Sequence, residues 1–274
     1  MSYKKILTVQ DISCVGQCSL TVALPIISAC GIETCVLPSA VLSTHTAGFS
    51  GYTFTDLTED MPKINAHWIK EGIKFDAIYT GYLGSAKQIE YVRALFDTVC
   101  NGYKIVDPAM ADNGKLYPGF DNDFVKEMRV LCASADYLVP NITEACMLTG
   151  TEYKTEYDRE YIDTILSSLA SLGCKNIILT GVSYEKGKTG VVVFENGQYS
   201  YYQHDFLPNS CHGTGDIYAS AFTGALVNGK CAYESAKIAA DYTVECIKAT
   251  AEEENHWYGA KFEPVLYKLI EMLK

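Results

Sequence analysis

Short apolar runs, rich in β-branched residues, alternate along the chain with longer stretches whose apolar positions recur every three to four residues. The runs at 5–9, 34–37, 77–79, 104–106, 137–139 and 176–179 stay apolar through most of their length. Strands covered on both faces read this way, whereas strands with one wet face alternate. Residues 19–29, 86–100, 124–133, 143–148 and 160–172 carry the helical period between them. The pattern predicts an α/β chain with a central, mostly parallel sheet flanked by helices on both faces. Residues 190–194 and 199–203, joined by Glu195-Asn196-Gly197-Gln198, predict a small β-hairpin with an Asn-Gly turn. Further helices are expected at 217–227, 233–250 and 262–273. No repeat, low-complexity tract or long linker breaks the pattern, so residues 1–274 are expected to form a single domain.

Several polar or glycine-bearing pairs fall just after the strand runs: Gln10-Asp11, Gly81-Tyr82, Asp107-Pro108, Pro140-Asn141 and Thr180-Gly181. In an open parallel sheet the C-terminal strand edge is where ligands bind. A formal net charge of −11 argues against a nucleic-acid or anionic-membrane surface. No apolar segment has the length to span a bilayer, and the N-terminus runs into a strand without the apolar core of a signal peptide. Eleven cysteines, an odd number with no Cys-x-x-Cys pair, read as free thiols in a reducing compartment, so a cytoplasmic location is expected. Cys14 and Cys18 are four apart, but no histidine or second pair completes a zinc site.

The densest chemistry lies in Asn209-Ser210-Cys211-His212-Gly213-Thr214-Gly215-Asp216, followed by the apolar helix pattern of 217–227. Gly213 and Gly215 permit a sharp turn and close backbone approach to a ligand. Free N–H groups at a helix N-terminus favour an anion such as phosphate. A carboxylate at Asp216 would be repulsive beside that anion unless it takes a proton from an attacking hydroxyl. The plainer alternative is an acidic residue in the first turn of a helix, favoured by the dipole.

Two other nucleotide motifs fail. Gly181 to Thr189 comes near a Walker loop, but it has five residues between its glycines and runs into the strand-like Val191-Val192-Val193-Phe194. After the first strand, residues 10–18 hold one glycine instead of a dinucleotide fingerprint, which disfavours a nicotinamide oxidoreductase.

Six blocks occur in order: Gln10-Asp11, Ser43-Thr44-His45-Thr46, Gly81-Tyr82-Leu83-Gly84-Ser85, residues 106–114, Val139-Pro140-Asn141-Ile142-Thr143-Glu144 and Gly213-Thr214-Gly215-Asp216. On these blocks the chain resembles the ribokinase-like superfamily and, within it, the pyridoxal (vitamin B6) kinases. The resemblance implies ATP-dependent phosphorylation of the 5′-hydroxymethyl group of pyridoxal, pyridoxine or pyridoxamine. Gly213, Thr214 and Gly215 would form the anion hole and Asp216 would be the general base. Asp107 and Glu144 would meet Mg²⁺ directly or through water, with Asn141 and Thr180 near the nucleotide and Asp112 in an adjoining lid segment. Asp11, Thr46, Tyr82 and His45 match acceptor-binding positions, although a local structural bond for His45 remains an equal alternative. Many B6 kinases carry serine where this chain has Asp11, and a carboxylate there favours a ring donor. The resemblance further implies ATP as co-substrate, Mg²⁺, an optional monovalent cation and a homodimer. The alternatives are a hydroxymethylpyrimidine kinase, which the His212-Gly-Thr-Gly run also resembles, or a silent vitamer- or nucleotide-binding protein. Many hydroxymethylpyrimidine kinases carry cysteine in place of Asp216. Cys211 could add to an aldehyde substrate or simply be a small packed side chain.

Overall fold

The computed structural model describes residues 3–208, 211–253 and 255–274. One sheet of nine strands organises them, in the order β11-β10-β9-β8-β5-β4-β1-β2-β3. Its parallel centre comprises β1 (Lys5–Ser13), β2 (Glu33–Leu42), β4 (Phe75–Thr80), β5 (Cys100–Val106), β8 (Tyr137–Leu138) and β9 (Asn176–Val182). The short β3 (Phe54–Asp56) runs antiparallel to β2 at one edge. At the other edge β10 (Lys188–Glu195) and β11 (Gln198–Asp205) form the expected hairpin, with Asn196 and Gly197 both at positive φ. A second, two-stranded sheet is made by β6 (Ala111–Asp112) and β7 (Lys115–Leu116).

Two apolar cores lie on the two faces of the sheet. One gathers buried residues of α2 (Met61–Lys70), α3 (Ala86–Thr98), α4 (Asn122–Ala133), α5 (Ile142–Thr149) and α6 (Arg159–Ser171). The other gathers α1 (Leu20–Ala29), α7 (Thr214–Val227), α8 (Ala232–Ala251) and α9 (Leu266–Met272). Every residue of α7 from Ile217 to Val227 is buried, so the helix has no wet face and its sequence is apolar or small throughout. That packing fixes where its N-terminus points. Among the described residues no helix is long and apolar enough to cross a membrane.

The structure departs from the sequence expectation at several boundaries. The third helix stops at Thr98, not residue 100, because Val99 caps it and Cys100 already pairs with Phe75 of β4. β2 continues through Pro38, where the β1–β2 register shifts between Gln10 and Ile12; an irregular ladder tolerates the missing proline N–H. Asp11 stands at that irregularity. Residues 263–265 form a 3-10 turn before α9, so the last helix is shorter than 262–273. The short strand at 137–139 ends at Leu138. β3, α2 and the β6–β7 hairpin carried no clear period: β3 is wholly exposed, and Met61 is the buried residue of α2.

Candidate active site

The polar pairs singled out above lie toward the C-terminal edge of the parallel sheet, because the strands that carry them run the same way. Gln10-Asp11 fall within β1, however, and Thr180-Gly181 within β9, both strands running on past the apolar run. Backbone bonds continue from strand to strand past the ladder: Gly81 N–H to Val9 O (3.3 Å), Asp107 N–H to Thr80 O (2.9 Å) and Thr180 N–H to Pro140 O (2.9 Å). The residues before the turn, Asn209 and Ser210, lie outside the described residues.

Gly213 is the N-cap of α7, with φ 78°, and Thr214 already begins the helix. The expected free-standing turn is therefore the first helical turn itself, three residues earlier than the apolar pattern suggested. Thr214, Gly215 and Asp216 occupy its first three positions, where backbone N–H groups lack intrahelical partners and can face an anion. A Cβ on Gly213 would meet Gln17 O at 1.8 Å, whereas one on Gly215 would meet nothing within 4 Å. The first glycine is thus required by packing and by backbone conformation; the second leaves the helix end bare.

Asp216 accepts a hydrogen bond on Oδ2 from the Ser19 amide at 3.0 Å. Burial pushes its carboxyl up to about 7, against the lowering effect of that bond and with a further push from Asp11. A carboxyl poised there can hold and release a proton near neutrality. Asp11, 4% exposed, accepts from the Ser13 hydroxyl at 3.0 Å. Burial also raises it, while hydrogen bonds from the Ser19 and Ser13 hydroxyls and the nearby His45 pull it down.

Burial raises the Tyr82 hydroxyl to about 12, and the charge of Asp11 adds to the shift. Its ring lies 5.4 Å from that of Phe120, which stacks at 3.9 Å on Phe124. An aromatic wall beside a carboxylate can take a flat heterocycle with a hydrogen-bond donor. Thr46 is exposed on the neighbouring loop. His45 is buried, with Nδ1 accepting from the Ala47 amide (3.2 Å) and Nε2 donating to Tyr258 O (2.6 Å). Both ring nitrogens are thereby engaged by backbone, so His45 anchors the loop and offers a ligand only carbon edge or ring face. Cys211 packs against the core that holds α7 and α8, and burial raises its thiol, which suits a packed side chain over a nucleophile.

The remaining carboxylates lie under the β6–β7 hairpin. Glu144 completes a capping box on α5: Asn141 Oδ1 accepts from the Glu144 amide, and Glu144 Oε2 accepts from the Asn141 amide, both at 2.9 Å. Its Oε1 accepts from the Met110 amide (3.2 Å). Burial raises Glu144 to about 7 in spite of those bonds. Asp107, 8% exposed, is held well above the usual carboxylate range by burial first, then by Glu144 and Asp216. Asn141 Nδ2 donates to Ala111 O (2.9 Å) and Thr143 Oγ1 accepts from the Gly114 amide (3.1 Å), which fasten the hairpin to the start of α5. Asn141 therefore spends its side chain on structure. Thr180 stands beside it, paired through a β-bridge, its hydroxyl donating to Pro140 O (3.3 Å).

The carboxylates of Asp107, Glu144 and Asp216 are each raised first by burial, and Asp107 further by the other two, which suits a nearby cation. Among the described residues no group of three or more His, Cys, Asp or Glu forms a metal cage. This donor set fits Mg²⁺ held mainly by water and phosphate oxygens, with Asp107 the freer partner and both Glu144 oxygens already engaged.

Three residues near the site gave no sequence signal. Tyr117 is 37% exposed as a residue, yet desolvation of its hydroxyl, followed by the charges of Glu144, Asp107 and Asp112, raises it. Phe120 supplies the aromatic wall, and Ser19 joins Asp216. None belongs to a recognisable block; a tyrosine among 20 carries no information until it is placed in space.

The sequence profile of the phosphomethylpyrimidine kinase family matches residues 24–261. A candidate phosphomethylpyrimidine kinase of Bacteroides thetaiotaomicron VPI-5482, in a crystal form with pyridoxal, is 40% identical, with a TM-score of 0.91 over 98% of this chain and 96% of that one. Pyridoxal kinase of Lactobacillus plantarum is 30% identical, with a TM-score of 0.91 over 99% and 98%. The hydroxymethylpyrimidine/phosphomethylpyrimidine kinase of Bacillus subtilis (strain 168) is 25% identical over 214 residues, covering 77% of each chain. The chain belongs to the phosphomethylpyrimidine kinase family within the ribokinase-like superfamily, and is a phosphotransferase acting on an alcohol group, a kinase of a B6 vitamer or of hydroxymethylpyrimidine.

Proposed function

We propose that the chain transfers the γ-phosphoryl group of ATP to the 5′-hydroxymethyl group of a B6 vitamer, with Asp216 as general base. The observation that carries this reading is the place of Asp216: third residue of a glycine-opened helix, its carboxyl raised to about 7 and within the field of Asp11, which also acts on Tyr82. Support for the acceptor comes from the pyridoxal form of the Bacteroides protein and from the Lactobacillus enzyme. A more distant fold relative, pyridoxal kinase of Staphylococcus aureus in complex with AMP-PCP and pyridoxal, supports the nucleotide.

Phosphoryl transfer requires alignment and charge stabilisation more than covalent chemistry. The acceptor ring lies against Tyr82 and Phe120, and Asp11 accepts from a ring donor. The ring's hydroxymethyl group then reaches Asp216 Oδ1, since Oδ2 is held by the Ser19 amide. Asp216 takes the hydroxyl proton as the oxygen attacks phosphorus. Amides of the 213–215 turn stabilise the charge on the equatorial oxygens. Mg²⁺ near Asp107 would neutralise phosphate charge. The β6–β7 hairpin, fastened by Asn141 and Thr143, covers the nucleotide side.

Asp11 also favours a second reading, hydroxymethylpyrimidine as acceptor, because an exocyclic amine is a good donor to a carboxylate. Acceptor choice separates the two. ATP consumption with Mg²⁺ is measured against pyridoxal, pyridoxine, pyridoxamine and hydroxymethylpyrimidine. The proposal expects the highest kcat/KM on a B6 vitamer; turnover confined to the pyrimidine overturns it in favour of the second reading.

A further inference from the structure

Gln88 lies in the first turn of α3, 2% exposed, with its carboxamide engaged at both ends. Ser85-Ala86-Lys87-Gln88 has the form of a capping box, in which the glutamine side chain would accept from the Ser85 amide. Half of that box is formed: Ser85 Oγ accepts from the Gln88 amide at 3.3 Å. The other half is redirected. Gln88 Oε1 accepts from the amide of Gly84, one residue earlier, at 2.7 Å. Gln88 Nε2 donates to Ser39 O (3.1 Å) and to Thr58 Oγ1 (2.9 Å). A backbone amide only donates and a backbone carbonyl only accepts, so these partners fix which way the carboxamide points.

The partners belong to two separate parts of the fold. Gly84 is in the Gly81-Tyr82-Leu83-Gly84-Ser85 run after β4, and the Tyr82 ring packs against it. A Cβ on Gly84 would meet Tyr82 Cε1 at 4.0 Å and Gln88 Oε1 at 3.7 Å. Ser39 lies in β2 and Thr58 follows β3, the two strands joined by the loop of His45 and Thr46. β1, with Asp11, runs between β4 and β2 in the sheet. The Thr58 hydroxyl donates to Asp56 Oδ1 at 2.5 Å, which leaves its oxygen free to accept from Gln88. One buried carboxamide thus joins the turn beside Tyr82 to the β2–β3 edge.

We propose that Gln88 is a positioning residue for acceptor binding: it holds the Gly84 turn, and through that turn it sets the Tyr82 ring against Phe120. This role rests on the reading of Tyr82 as part of the acceptor wall. Capping of α3 does not account for the bonds, since Oε1 and Nε2 both serve residues outside the helix. Gln88 is too deeply buried to touch a ligand, so it acts through Gly84 alone.

The test compares Gln88→Met, Thr58→Val, Tyr82→Ala and the Gln88→Met/Tyr82→Ala double variant with wild type. Gln88→Met keeps the bulk of the side chain and removes its hydrogen bonds. Thr58→Val removes one partner and leaves Gly84 held. Binding of pyridoxal and of hydroxymethylpyrimidine is measured by titration calorimetry without ATP, alongside melting temperature and the separate KM values for acceptor and ATP. Gln88→Met should bind the acceptor roughly 3- to 10-fold more weakly, the scale of an aromatic contact, with the KM for ATP unchanged. Thr58→Val should lower the melting temperature and keep acceptor affinity. In the Tyr82→Ala background the Gln88→Met change should weaken binding no further, because the two residues act as one unit. Should Gln88→Met not fold, Gln88→Asn, whose carboxamide is one methylene short of Gly84, takes its place with the same expectations. Where Tyr82→Ala weakens binding, the Gln88 proposal alone is overturned by unchanged acceptor affinity in the Gln88 variant, by an equal rise in both KM values, or by full additivity with Tyr82→Ala. Thr58→Val that weakens the acceptor as much as Gln88→Met also overturns it, since that marks general loosening. Acceptor binding left intact by Tyr82→Ala overturns the reading of Tyr82 and the Gln88 proposal with it. A wild type that binds neither molecule overturns the functional reading as a whole.

Discussion

Gly213 and Gly215 stand two positions apart and are glycine for different reasons. Gly213 combines φ 78° with the Gln17 carbonyl where a Cβ would be. Gly215 has open space and ordinary helical backbone, so the fold does not require a glycine there and the proposed phosphate site would. Gly213→Ala should therefore lower stability by about 1–3 kcal/mol, the scale of a strained backbone, together with activity. Gly215→Ala should keep or raise the melting temperature, alanine being the better helix former by about 1 kcal/mol. Its kcat/KM should nonetheless fall as the methyl group crowds the anion. Thermal melts paired with turnover separate the two, and a Gly215→Ala enzyme of full activity would place the phosphate away from this helix end. The Gly-Thr-Gly-Asp run was legible because such chemistry needs contiguous residues. Ser19 was not, since nothing in a lone serine foretells its positive φ or the reach of its amide to Asp216, 197 residues away.

Among elements, the strands and the helices packed on them were readable because burial imposes a period. The β6–β7 hairpin was not: four paired residues with little buried surface leave no pattern. Its position is instead fixed by polar fastenings, Asn141 Nδ2 to Ala111 O and the Gly114 amide to Thr143 Oγ1. Asn141→Ala removes the first fastening and half of the α5 capping box, at a cost of about 1 kcal/mol for a lost cap. Loosening the hairpin should raise the KM for ATP more than that for the acceptor, whose proposed contacts, Asp11 and Tyr82, lie in β1 and after β4. Steady-state kinetics on both substrates check this; an acceptor KM that rises as much as that for ATP would place the hairpin over both subsites. The sequence pointed to Asn141 and Glu144 as nucleotide-side residues, and their side-chain bonds make them chiefly builders of that side.

At the scale of the molecule, a parallel sheet sends the ends of β1, β4, β5, β8 and β9 to one edge. Residues as distant as Asp11 and Thr180 therefore line the same edge of the sheet without any local signal beyond a polar residue at the end of each apolar run. Asp216 arrives from the opposite core, carried on a helix buried from Ile217 onward. Burial raises the Asp216 carboxyl to about 7, with a further push from Asp11, and this suits the base we propose it to be. The most direct measurement is kcat/KM for the acceptor against pH, in wild type and in Asp216→Asn, with acceptor binding followed in parallel. Asp216 accepts a proton only when ionised, so wild-type kcat/KM should climb with pH and level off above about 7. The Asp216→Asn enzyme should bind the acceptor, lose roughly 10²- to 10⁴-fold in turnover and lack that acid limb. Near-wild-type turnover in the variant, or an acid limb that survives the substitution, would contradict the assignment of Asp216 as the base.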